Sequence, residues 1–114
     1  MADKCIFCEI RDGHVSSEVL YRGDSCFVIR DIAPAAPIHL LVIPYEHFTY
    51  LSDLTPSFST TLGDMFMAAK EMAERDGVTN SGYRLIINQG VLAGQQVPHL
   101  HLHLLAGKLL GAMG

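Results

Sequence analysis

Basic residues are scarce in this chain. Eight Lys and Arg stand against twelve Asp and Glu in 114 residues, a formal net charge of −4. A general nucleic-acid binder needs a basic patch to neutralise phosphates, so a nucleic-acid polymer is not expected as a partner. One small nucleotide, held by backbone N–H groups and histidines, remains compatible with that charge. No apolar run approaches the roughly 20 residues that cross a bilayer. Met1–Cys5 lacks the charged-then-apolar pattern of a signal peptide, so no membrane partner is expected either. Cysteine is limited to three residues. An odd count speaks against a disulfide framework and for a cytoplasmic setting with reduced thiols or a metal site. Repeats, linkers and low-complexity tracts are missing, and the length predicts a single domain over residues 1–114. A hydrophobic fraction of 49% with 18% charged residues is that of a globular chain. Its core is small enough that a dimer would help it.

What is present is concentrated in histidine. Half of the six histidines fall in Val97-Pro98-His99-Leu100-His101-Leu102-His103-Leu104-Leu105. Side chains alternate faces along a strand with a period of two. A strand over His99–Leu105 therefore directs His99, His101 and His103 to one side and Leu100, Leu102 and Leu104 to the other. The leucines can enter a core, whereas imidazoles in a row repel when charged and fill an apolar core poorly. Two chemistries suit such a row: a bound metal, or a nucleophilic histidine.

The remaining elements are short. Cys5–Glu9 predicts a helical turn that breaks at Arg11-Asp12-Gly13. Glu18–Tyr21 and Cys26–Arg30, separated by Arg22-Gly23-Asp24-Ser25, predict a hairpin. His39–Pro44 is a third strand, His47–Leu51 a short helix or turn, and Tyr83–Asn88 the strand before the histidines. The one long helix is expected from about Pro56 to Asp76. Thr55 suits its N-cap, Pro56 its first turn, and Gly77 its end. Phe58, Leu62, Met65, Phe66, Ala69, Met72 and Ala73 form its apolar stripe, with Asp64, Lys70, Glu71, Glu74 and Arg75 on other faces. Cys26 reads as core and His14 as solvated. Strands and helices that do not alternate strictly suggest an α+β domain with a mainly antiparallel five-stranded sheet, one long helix and one short one.

His99-Leu100-His101-Leu102-His103-Leu104-Leu105 matches in full the His-φ-His-φ-His-φ-φ signature, with φ apolar, of the histidine-triad (HIT) family of nucleotide hydrolases and transferases. Further segments strengthen the resemblance. Asp31-Ile32-Ala33-Pro34-Ala35-Ala36-Pro37-Ile38-His39-Leu40-Leu41-Val42-Ile43-Pro44 looks like the family's ribose-binding segment. Ile86-Ile87-Asn88-Gln89-Gly90, followed by Ala93-Gly94-Gln95, looks like its phosphate-proximal loop. The similarity covers roughly residues 5 to 107 and is nearest the Hint branch. It implies the HIT-like α+β fold, and a homodimer whose sheets join edge to edge into a ten-stranded sheet.

The resemblance implies a mechanism that the residues themselves make sensible. Neutral imidazole, with an unperturbed pKa of about 6.5, attacks phosphorus without a strong base, and a labile phosphorus–nitrogen bond turns one difficult hydrolysis into two easier steps. His101 corresponds to the nucleophile, which forms a nucleotidyl-histidine. His103 corresponds to the phosphate partner and proton donor, and His39 to a supporting residue. Asp31 would accept from the ribose hydroxyls, Ile32 and Leu41 would pack on the base, and Phe27 is a further apolar candidate. Asn88, Gly94, Gln95 and Gln96 would lie near the phosphates and leaving group. The implied activity is hydrolysis of purine nucleoside 5′-phosphoramidates to nucleoside monophosphate and amine, with no cofactor in the chemistry. Dinucleoside polyphosphate hydrolysis is the alternative within the family. A non-catalytic nucleotide-binding or zinc-stabilised interaction protein is the alternative outside it.

Three departures from the Hint pattern stand out: Gln96 in place of Ser or Thr, Arg30 in place of His, and a tail without the Trp-Pro-Pro motif, the chain containing no tryptophan. Cys5-Ile6-Phe7-Cys8 is by itself open between zinc, redox chemistry and coincidence. The resemblance adds His47 and His99, and two thiolates with two imidazoles suit tetrahedral zinc. The rival in which the triad itself holds a catalytic metal finds no carboxylate following the triad in sequence.

Overall fold

A computed structural model describes residues 5–114; Met1–Lys4, on which the expectation of no leader partly rests, lie outside the described residues. Helix α1 (Ile6–Arg11) is followed by strands β1 (Val19–Arg22), β2 (Cys26–Arg30) and β3 (Ile38–Pro44), then α2 (Ser59–Arg75), β4 (Tyr83–Ile86) and β5 (Leu102–Ala106). The strands form one sheet in the order β1-β2-β3-β5-β4. Every pairing is antiparallel, as expected of the α+β reading.

Strand alternation divides the core in two. Cys26 and Val28 of β2, Leu40 and Val42 of β3, and Leu102, Leu104 and Ala106 of β5 turn toward α2 and bury against Met65, Ala68, Ala69, Met72 and Ala73. Phe27, Ile29, Leu41 and Ile43 turn to the opposite face and bury against Phe7 and Ile10 of α1. His39, in phase with Leu41 and Ile43, is carried to the α1 side. The long helix thus closes one face of the sheet, and the short helix covers only part of the other.

Several boundaries differ from the sequence expectation. β5 begins at Leu102 and not at His99. Pro98 has no N–H to give to a ladder, and Leu100 N donates to Phe48 O at 2.7 Å in place of a partner on β3. The alternation nevertheless continues in the extended chain before the strand, so Leu100, Leu102 and Leu104 are all buried. β4 stops at Ile86, two residues before the expected Asn88. Pro56–Phe58 forms a tight 3₁₀ turn before α2, with Phe58 N on Thr55 O at 3.0 Å. Thr55 caps that turn without a side-chain bond to it, and the α-helix proper starts at Ser59. The short helix or turn expected over His47–Leu51 comes later: His47–Tyr50 is not helical, and a 3₁₀ turn spans Leu51–Asp53.

In α2 the stripe holds at Met65, Ala69, Met72 and Ala73, but Phe66 is 46% exposed. It lies about 100° round the helix from Met65, at the margin of the stripe, where a small side chain such as Ala73 is covered and a large ring is not. Ala68, omitted from the expected stripe, fills the opposite margin. Gly77 closes the helix at φ +71°, with Gly77 N on Glu74 O and Val78 N on Ala73 O. That is the paired bonding of a Schellman end, and it requires the left-handed conformation glycine tolerates.

Candidate active site

The uncovered part of the α1 face is a cleft of about 630 Å³. His101 just before β5 and His103 within it line the cleft, with His39 and Leu41 from β3. Asp31, Ile32 and Ala33 border it just after β2, and Asn88, Gly94 and Gln96 come from the loop between β4 and β5. Leu41 lies directly opposite His103 in the ladder, with His39 opposite Leu105. His39 and His103 therefore approach on a diagonal, which long side chains can bridge.

The hydrogen bonds set the tautomers. Ala35 N–H donates to His39 Nδ1 at 3.0 Å, so the proton of His39 is on Nε2. That Nε2–H faces His103 Nδ1 at 2.9 Å and Asp31 Oδ2 at 3.4 Å. His103 Nδ1 thereby accepts, and its proton lies on Nε2, a buried atom with no partner among the described residues. His101 Nδ1–H donates to the carbonyl of His99 at 2.7 Å, which leaves the Nε2 lone pair free. One imidazole in the cleft therefore offers a lone pair and its neighbour a donor, with ring centroids 4.8 Å apart. Nucleophilic attack at an anionic centre needs that combination.

Burial keeps these rings neutral. It pushes His103 down to about 4, helped by the neighbouring His101 and His39 and countered by Asp31. It also lowers His101, against the His99 carbonyl and Asp31, which favour the charged form. His39 is lowered by burial and raised in part by Asp31.

Asp31 has one oxygen on Ala33 N–H at 2.8 Å and the other toward His39, so it organises its own loop as well as facing the cleft. Ile32 stands fully exposed at the rim. Phe27 is wholly buried and stacks on Tyr45, outside the cleft lining. Gln95 is outside it too. Its Oε1 accepts from Gly90 N at 2.8 Å, and its Nε2 donates to Thr49 O at 3.0 Å and Val97 O at 3.4 Å. It ties down the loop that presents Asn88, Gly94 and Gln96. Gly90 and Gly94 both have φ near +85°, which explains glycine there by conformation.

One wall of the cleft was not foreseen. Ile6, Phe7 and Ile10 of α1, with Val15, Ser16 and Ser17 after it, also line the cleft. The spacing of Ile6, Phe7 and Ile10 marks an apolar helix face, but a six-residue helix gives too little periodicity to assign that face a function. Arg30 also lines the cleft and pairs with Glu18 at 3.3 Å.

Beside the cleft, Cys5, Cys8, His47 and His99 bring four ligand atoms within 4.8 Å of one another. Cys8 Sγ lies 3.1 Å from His47 Nδ1 and 3.6 Å from His99 Nδ1; Cys5 Sγ lies 3.3 Å from His99 Nδ1. Tetrahedral zinc, with bonds of about 2.3 Å to sulfur and 2.0–2.1 Å to nitrogen, has edges of about 3.5 Å. The donors fit such a site. His99 Nε2–H donates to Pro44 O at 2.9 Å, which aims the Nδ1 lone pair at the cluster. Burial pushes His99 down to about 4, so its ring is neutral and able to ligate. The three cysteines are free, and Cys26 is core as expected.

Comparison with known proteins identifies the family and the fold. The HIT domain family matches over residues 12–109. Purine nucleoside phosphoramidase of Escherichia coli (strain K12) is 39% identical over 113 residues, 99% of this chain and 95% of that protein. A HIT family hydrolase from Clostridium thermocellum superposes with a TM-score of 0.92 at 42% identity, covering 98% of this chain and 97% of the other. A HIT family hydrolase from Legionella pneumophila Philadelphia 1 gives 0.91 at 37% identity, covering 95% and 96%.

Proposed function

Since the chain belongs to the HIT domain family, we propose that this hydrolase cleaves purine nucleoside 5′-phosphoramidates through a nucleotidyl-histidine. The observation that carries the reading is the tautomer set: a free lone pair on His101 Nε2 beside a donating His103 Nε2–H. His101 Nε2 attacks phosphorus, the phosphorus–nitrogen bond to the amine breaks, and the nucleotide is held on the imidazole. Water then attacks phosphorus and releases the monophosphate. The amine takes a proton from solvent as it leaves and the attacking water later gives one back, so over both steps one water is consumed, with its hydroxyl on phosphorus. The His99 carbonyl, accepting Nδ1–H, stabilises the positive charge that develops on the His101 ring. His103 Nε2–H donates to a phosphoryl oxygen, and Asp31 accepts from the ribose hydroxyls. Ile32 and Leu41 pack on the base, with Asn88, Gly94 and Gln96 around the phosphate and leaving group, in the loop that Gln95 ties down.

The reading includes about one zinc per chain on Cys5, Cys8, His47 and His99, where the ion ties the N-terminal segment to the sheet and contributes folding free energy. It includes a cytoplasmic setting, consistent with three free thiols. No helix among the described residues is long and apolar enough to cross a membrane. It also includes a homodimer, supported by the unpaired edge at β4 and by Phe66 and Met67 standing exposed on α2.

The test is a panel of adenosine and guanosine phosphoramidates and dinucleoside polyphosphates, followed by detection of released monophosphate. Preferential turnover of the phosphoramidates is expected. Turnover of the polyphosphates alone would move the substrate class, and no turnover of either would return the chain to the binding-protein reading.

A further inference from the structure

We propose that the metal cluster and the nucleotide cleft are thermodynamically coupled, with His99 and Phe7 as the positioning residues that join them. The inference rests on the reading of the cleft as a nucleotide site. His99 belongs to both sites. Its ring offers Nδ1 to the cluster, 3.3 Å from Cys5 Sγ and 3.6 Å from Cys8 Sγ, while its carbonyl accepts His101 Nδ1–H at 2.7 Å. A ligand that fixes the His99 ring also fixes the backbone on which the tautomer of His101 depends.

Phe7 is the second link. It sits between the cluster's two cysteines in sequence, on helix α1. Its buried ring meets both His99 and His101 edge-on, with centroids 5.7 and 5.1 Å away. The same helix supplies Ile6 and Ile10 to the cleft wall. A helix of six residues has almost no stability of its own. Its placement is set by what holds it, and Cys5 and Cys8 bracket the residue that touches His101. Loading the cluster with a thiophilic divalent cation therefore seats Phe7 against His101 and completes the wall. Unloading it frees both.

Linkage makes the claim two-sided. If the cation tightens nucleotide binding by some factor, nucleotide must tighten cation binding by the same factor. The probes are zinc and AMP. AMP affinity is measured calorimetrically on zinc-loaded and chelated protein, and zinc affinity by competition with and without saturating AMP. We expect AMP to bind about five-fold or more weakly without zinc, and zinc to gain the same factor from AMP. Imidazole ¹⁵N shifts should report a single Nδ1–H tautomer of His101 in the loaded protein and a mixture in the chelated one.

Phe7→Leu keeps the four ligands and an apolar wall, so it covers the case in which the chelated protein unfolds. In the zinc-loaded variant, AMP should bind several-fold more weakly and the His101 tautomer should become mixed. Equal AMP affinity with and without zinc overturns the coupling. So does wild-type AMP affinity with an unmixed tautomer in Phe7→Leu. Failure of AMP to bind the loaded wild-type protein overturns the nucleotide reading itself, and the coupling with it.

Discussion

His39 Nε2 lies 2.9 Å from His103 Nδ1, and that contact decides which nitrogen of His103 faces the cleft. The order of bonds is directional: Ala35 N–H to His39, His39 to His103, His103 to the ligand. His39→Phe should release the tautomer of His103 while leaving His103 in place. We expect kcat on a phosphoramidate to fall on the order of 10-fold, short of the 10²–10³-fold typical of losing a transition-state donor outright. Steady-state kinetics of His39→Phe and His103→Phe side by side make the check. A larger loss from His39→Phe would give His39 a direct role.

His101→Gly should abolish turnover and keep AMP affinity within about three-fold of wild type, because the nucleophile is lost and the cleft is not. Calorimetry and a sensitive product assay measure the two quantities. Wild-type-like turnover in the purified variant would end the nucleotidyl-histidine mechanism.

Asp31→Ala should weaken AMP more than its 2′,3′-dideoxy analogue, since only the first has hydroxyls to donate to the carboxylate. The expected excess loss is about 1.5–3 kcal/mol, the range for a hydrogen bond to a charged group. Asp31 also accepts from Ala33 N–H. Equal losses for the two ligands would assign it to holding that loop.

Acid should destabilise the fold through His103. Its pKa is pushed down to about 4 by burial, against 6.5 for the free group. Between those values the unfolded chain binds a proton that the folded chain does not, so stability rises with pH. The contribution is complete above about pH 6.5 and is lost as the pH falls toward 4. Urea denaturation of wild type and His103→Phe across that window should give curves that converge or cross as the pH drops. Both proteins keep the same zinc ligands, so the difference isolates His103. Parallel curves would place the acid sensitivity elsewhere.

Gly107 follows β5 at φ +96°, and a Cβ there would come 2.9 Å from Pro37 Cβ. Gly107→Ala should cost about 1–3 kcal/mol in denaturant unfolding, from backbone strain and pressure on the segment that leads into His39. Gly111→Ala, where a Cβ meets nothing, is the control. Equal stability of the two variants would refute the close approach.

The sequence made the chemistry more legible than the architecture around it. The triad could be read because a period of two separates leucines from histidines whether or not the segment belongs to a ladder; His99 and His101 in fact precede β5. The cysteine pair by itself stayed open between zinc, redox chemistry and coincidence; the resemblance supplied His47 and His99, and the fold brings the four donors within 4.8 Å of one another. The boundaries of α2 could not, because Thr55 and Pro56 carry the same start signals for a 3₁₀ turn as for an α-helix. Nor could the α1 wall. A six-residue helix shows barely two turns of pattern, and its role follows from tertiary placement beside His99 and His101. Gln95 illustrates the same limit: its amide could have faced a phosphate or a loop, and the fold directs it to Gly90, Thr49 and Val97.

The alternation through Leu100–Leu104 acts as a reading frame. Inserting or deleting one residue ahead of Leu102 would leave the strand intact and exchange the roles of its neighbours, sending imidazoles into the methionine-lined core beneath α2 and leucines into the cleft. Shifting by two would keep the core and move each histidine one place along the row, so that a different ring met the His39 donor. The length of the segment between Val97 and Leu105 is therefore as constrained as its composition, and its spacing carries as much of the chemistry as its residues do.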